Sequence, residues 1–203
     1  MRKRGGVQSA GDGGEKMRES QRQVVENARI LKLVYAGVLT AVGIVLPQAF
    51  HIFGQSAGGM FLPIHLPILM AGVLLGGGYG LGAGILVPIL SSVLTGMPPV
   101  PKVYFMLFET AVYGLTAGVL AERKYPVYLR LIPAMVAGRV AYGLSLIVGV
   151  YIFNLHFPFA NGTAFVSGIV SGIPGIIIQL IVIPVLFRVL KKAGLTFENE
   201  TEV

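Results

Sequence analysis

Residues Lys102–Ala121 read KVYFMLFETAVYGLTAGVLA, and the reading of this run decides the fold. An apolar helix crosses the hydrocarbon of a bilayer in about 20 residues, which this run supplies. One acid, Glu109, sits well inside it. A carboxylate there costs about 3 kcal/mol or more, so it faces a cavity, a partner or a ligand. The next long apolar run carries the matching base, Arg139. The chain therefore reads as a membrane bundle built around one acid and one base.

Composition agrees. Of 203 residues, 54% are hydrophobic and 12% charged, where a soluble domain carries about 25% charge. The polar remainder is too short to bury a second core. The net charge of +7 is concentrated at the ends and in one loop, so it reads as a topology signal rather than a nucleic-acid surface. With no Cys, disulfides and thiol catalysis are excluded. His51, His65 and His156 lack metal-ligand spacing, so no metal site is expected. No nucleophile–base pair, paired acids or phosphate loop appears, so neither enzyme chemistry nor a cofactor is expected.

The spacing predicts an all-α integral membrane protein of six spans, near Ile30–Phe50, Met60–Gly77, Tyr79–Gly96, Lys102–Ala121, Leu129–Phe153 and Ala164–Leu190. Residues 1–28 form a polar N-terminal tail expected to be disordered, with an amphipathic lead-in from Met17, itself a candidate start. Residues 29–192 form the membrane domain and 193–203 a second tail. No signal-peptide pattern is present. Pro174-Gly175 is expected to kink or open the last span. Arg and Lys cluster before span one, between spans four and five, and after span six. Positive residues favour the cytoplasmic side, so both termini are expected there.

The opposite connections are rich in Gly, Pro and aromatics: FHIFGQSAGGMFLPIHLP, TGMPPVPK and NLHFPFANGTAF. Such loops shape a pocket, which places the expected binding face outward. Glu109 lies about 10 Å below the outer end of its span and Arg139 about 20 Å below its own, at 1.5 Å per residue. Arg139 would snorkel to bridge the difference. Either the two form a purely structural ion pair or they line a polar pocket. Tyr113 follows Glu109 by one turn and Tyr142 follows Arg139 by three residues, each on its neighbour's face. His65, between two prolines, and Asn161 come from the outer loops. Ser91, Ser92 and Thr95 are expected to bond their own helix carbonyls. Gly76–Gly84, GGGYGLGAG, has no strand before it and serves tight turning and close helix contact. Ala36 with Thr40, and Gly37 with Ala41, make a smooth face on span one.

In their order, FLPIHLPILMAGVLLGGGYGLGAGILVPILSSVLTGMPP, FETAVYGLTAGVL and GIPGIIIQLIVIPVL resemble the membrane-embedded S components of energy-coupling factor (ECF) vitamin transporters. The resemblance runs from about Leu33 to Leu190. It implies a six-helix bundle holding one vitamin-like molecule near the outer face, partnered by a transmembrane scaffold and two cytoplasmic ATPases. In such proteins small residues on helix one, often Ala-x-x-x-Ala, contact the scaffold. Here Ala36, Gly37, Thr40 and Ala41 meet the spacing without two alanines. The resemblance implies plasma-membrane uptake by a subunit that tips within the bilayer.

The expected function is thus substrate capture for uptake of a vitamin or precursor: an anion such as pantothenate, a flavin such as riboflavin or a pyridine, or a cobalamin precursor. The expected site residues are Glu109, Arg139, Tyr113, Tyr142, His65 and Asn161. Two alternatives are an intramembrane enzyme using Glu109 as acid or base, and a structural assembly protein.

Overall fold

The computed structural model describes residues 8–52, 54–154 and 162–197. These residues form eight helices and no strand: α1 Gln8–His51, α2 Gln55–Phe61, α3 His65–Leu75, α4 Gly77–Thr95, α5 Lys102–Glu122, α6 Val127–Tyr151, α7 Gly162–Ser171 and α8 Ile173–Lys192. Six stretches are long and apolar enough to cross a membrane: Met17–Phe50, Gly58–Leu75, Gly77–Thr95, Lys102–Glu122, Val127–Tyr151 and Ile173–Lys192. The chain divides into two units, Met1–Tyr35 and Ala36–Val203.

Helix α1 begins at Gln8 and runs through the amphipathic lead-in expected from Met17 into the first span. EKMRESQRQVVENARILK, from Glu15 to Lys32, is dominated by Glu, Gln, Arg, Lys and Met. These straight-chain residues lose little rotamer freedom in a helix.

Within the second unit, α4 and α5 meet along a seam of small residues. The backbones of Gly80 and Gly114 touch, so a Cβ on either would sit on the other's carbonyl. Gly84 approaches Thr110 as closely, and the Thr110 hydroxyl donates to the Gly84 carbonyl at 2.6 Å. Close backbone approach replaces side-chain burial as the adhesive where lipid surrounds the helices. The expected tight turn is Gly76, at φ 99°, which joins α3 to α4. Glu122 at the end of α5 accepts from the Gly77 N–H at 2.7 Å, satisfying a free donor of the α4 first turn.

The second and sixth spans are each broken. Leu62 adopts the left-handed conformation at φ 50°, and Pro63 follows it, so α2 stops before α3 begins. The predicted single span from Met60 is therefore a bent pair. Gln179 of α8, fully buried, donates to the Leu62 carbonyl at 3.2 Å and pins the bend. Gly175 lets α8 lie directly on the Phe61 backbone. The last crossing is α8 alone, with α7 a separate short helix. The break falls at Gly172 rather than at Pro174-Gly175, because Pro174 suits the first turn of a new helix.

Candidate functional site

The four residues that converge come from three helices. Gly138 of α6 has no side chain, and a Cβ there would strike the Tyr113 ring. That gap seats α6 against α5 at the level of the Glu109 carbonyl, 2.8 Å from the same hypothetical Cβ. The next residue, Arg139, consequently meets Glu109: Arg139 Nη1 is 2.9 Å from Glu109 Oε1. The expected difference in depth is absent at this contact, because α6 extends further than α5 toward this end and no long snorkel is required. The bend before α3 brings His65 in from the third side, its Nε2 3.6 Å from the same Glu109 oxygen. Glu109 and His65 are 3% and 2% exposed.

This cluster borders a cavity of about 270 Å³. Polar lining comes from His65, Glu109, Arg139, Tyr142, Lys102 and Ser91; apolar lining includes Leu62, Ile64, Met97, Met106 and Phe165. The volume lies near the lower end of the roughly 300–1,000 Å³ usual for small-molecule sites. Tyr142 stacks on Phe165, ring centres 6.1 Å apart and planes 18° apart, joining α6 to α7 along one wall.

The polar groups are incompletely satisfied. Among the described residues, both ring nitrogens of His65, and Arg139 Nε and Nη2, are buried without a hydrogen-bond partner. The Glu109 oxygen is in ionic contact with Arg139 but is not aligned as a hydrogen bond. Buried polar groups are otherwise nearly always paired, and each orphan costs about 1–3 kcal/mol.

Glu109, Arg139, Tyr142 and His65 thus line one cavity. Tyr113 does not line it; the ring lies buried beneath, at 1% exposure, edge-on to His65 with centres 5.1 Å apart. Asn161 falls outside the described residues. Sequence reasoning marked the TGMPPVPK connection as pocket-shaping but named no residue in it; Lys102 and the Met97–Pro99 strap line the cavity. The signal was present in SSVLTGMPPVPK. Ser91 donates to the Met97 carbonyl and Ser92 to the Pro98 carbonyl, each at 2.7 Å. These serines clamp the strap instead of bonding their own helix, whereas Thr95 does bond back, to the Ser91 carbonyl at 2.7 Å. The Met97–Pro98 and Val100–Pro101 bonds are cis. Among the described residues no group of three or more His, Cys, Asp or Glu side chains converges on a metal position.

No curated protein and no solved structure matches the chain. A family model described as ECF transporter, substrate-specific component, matches residues 31–187. Proteins of this kind are transport subunits that bind small molecules and pair with ECF scaffold and ATPase modules. Six apolar helices and a match over more than half its length make this chain a multi-pass membrane protein that belongs to the ECF transporter substrate-specific component family.

Proposed function

We propose that this chain captures a vitamin or vitamin precursor in the cavity between α3, α5, α6 and α7 and presents it for uptake across the plasma membrane. The observation that carries the reading is that His65 and Arg139, which line the cavity, each carry buried nitrogens without a hydrogen-bond partner among the described residues. A fold that retains such groups needs a compensating partner, and a bound ligand supplies one. The cavity size favours a compact ligand over a corrinoid macrocycle.

In this reading Glu109, Arg139, His65 and Tyr142 contact the ligand, Tyr113 supports His65 from below, and Asn161 contributes from the connection after α6. The cavity opens outward and both termini are cytoplasmic. Support comes from the Lys and Arg residues at the other end of the helices, namely Arg123, Lys124 and Arg130 around the α5–α6 connection and Arg188, Lys191 and Lys192 ending α8. A transmembrane scaffold docks on Ala36, Gly37, Thr40 and Ala41, and two cytoplasmic ATPases drive release. Gly37 is exposed, with open space where a Cβ would stand, which suits an approaching helix.

The test is uptake. Cells expressing this chain with a scaffold and two ATPases accumulate the labelled vitamin. Cells lacking the chain, or carrying Glu109→Gln with Arg139→Met, do not. Accumulation independent of the chain removes the reading.

A further inference from the structure

Charge and hydrogen-bond inventory at the cavity define the ligand further than its size does. Among the described residues, three charged side chains line it: Lys102, Arg139 and Glu109. The two cations outnumber the one acid, an excess of one positive charge among these side chains. The unpartnered atoms are weighted the same way. Arg139 Nε and Nη2 are donors only. Glu109 Oε1 is already in contact with Arg139 Nη1.

Arg139 Nε and Nη2, buried and without a partner among the described residues, form one edge of the guanidinium, a side-on fork that matches the two oxygens of a carboxylate. Lys102 is exposed, at the first turn of α5, two turns from Glu109. A cation there attracts a negative group from outside, since field lines concentrate where low-dielectric walls meet water. Apolar lining comes from Leu62, Ile64, Met106 and Phe165.

Resting on the capture reading above, we infer that the ligand is a small organic monoanion: a carboxylate held on the Arg139 side of the cavity, with an uncharged body against the apolar lining. A neutral flavin or pyridine leaves the positive excess uncompensated. A phosphate monoester carries about −1.5 to −2 near pH 7, more than the excess can balance. Arg139 here acts in two directions, its Nη1 toward Glu109 and its remaining edge toward the ligand. Glu109 is then a positioning residue that fixes the fork, and it also prevents the site from attracting a dianion.

The experiment uses the full chain purified in mild detergent, without ATP. Small molecules are extracted from it and identified by mass spectrometry. In parallel, thermal unfolding is followed with matched probes: pantothenate, panthenol and 4′-phosphopantothenate, then nicotinate and nicotinamide. The expected result is an extracted molecule bearing an ionised carboxyl group. Any stabilising probe is then the carboxylate of its set, with at least tenfold weaker binding by the alcohol, amide or phosphate. Arg139→Lys keeps the charge but loses the fork, and weakens carboxylate binding by about 10- to 100-fold. An extracted molecule without an acid group, or a neutral probe binding as tightly as its carboxylate, overturns the anion inference and leaves capture standing. No extracted molecule and no stabilising probe overturns capture itself, and this inference with it. Because the probe comparison needs no substitution, it stands even if the Arg139 variant fails to fold.

Discussion

Arg139 of α6 and Glu109 of α5 make an ion pair of 2.9 Å on the wall of a cavity, and one of the two is nearly sealed from solvent. Removing one member strands the other in a low-dielectric interior, which costs about 3–5 kcal/mol. Removing both with neutral side chains of similar size costs far less. Arg139→Met is therefore expected to lower stability strongly, and Glu109→Gln combined with Arg139→Met much less. Denaturant titration in detergent, arranged as a double-mutant cycle, measures the difference. Equal losses in the single and double variants would show that the pair is not coupled.

The glycine seam makes a second prediction. A methyl group on Gly114 meets the Gly80 backbone, which has no flexible end to yield. Gly114→Ala is expected to destabilise by about 1–3 kcal/mol, the usual cost of overpacking. Gly78, on the same stretch, has open space around it. Gly78→Ala is expected to be neutral or to stabilise by up to about 1 kcal/mol. Thermal midpoints of the two variants, measured side by side, check the contrast.

Gln179 yields a third. It is the α8 residue that holds the bend at Leu62, and the bend carries His65 to Glu109. Gln179→Leu leaves a buried carbonyl short of a donor, worth about 1–3 kcal/mol. Ligand affinity is expected to fall more than stability does, because His65 is displaced. Titration of ligand at a temperature where the variant remains folded separates the two effects.

Much of this arrangement could be read from residue types and much could not. The Lys102 span was visible because twenty apolar residues have one common use, and Glu109 and Arg139 stood out because charge in hydrocarbon demands an explanation. Their meeting was expected; the route was not. Depth counted from span ends placed Arg139 too low, since it ignored that Gly138 lets α6 slide along α5 until the two residues are level. The bend at Leu62 and the strap at Met97–Pro99 depend on side-chain clamps from Gln179, Ser91 and Ser92. Those partners are either far apart in sequence or hidden in a helix end, where local rules favour backbonding. The lead-in from Met17 was legible from its amphipathic pattern; helix α1 starts earlier, at Gln8, and from Glu15 on it is rich in residues of strong helix propensity.

The proposed scaffold face gives a fourth prediction. A Cβ added at Gly37 meets nothing within 4 Å, so the Gly37→Leu side chain starts out into open space. Thermal stability and ligand affinity are expected to remain those of the parent. Co-purification with the scaffold subunit is expected to drop by at least tenfold. Undiminished co-purification would move the contact to another face.

The central claim is that this cavity holds a small molecule without help from any other subunit. Native mass spectrometry of the chain alone, released from mild detergent in the absence of ATP, tests it most directly. The predicted spectrum shows one small-molecule adduct on the parent chain and none on the Glu109→Gln, Arg139→Met double variant. A bare parent chain, or the same adduct on both proteins, would contradict it.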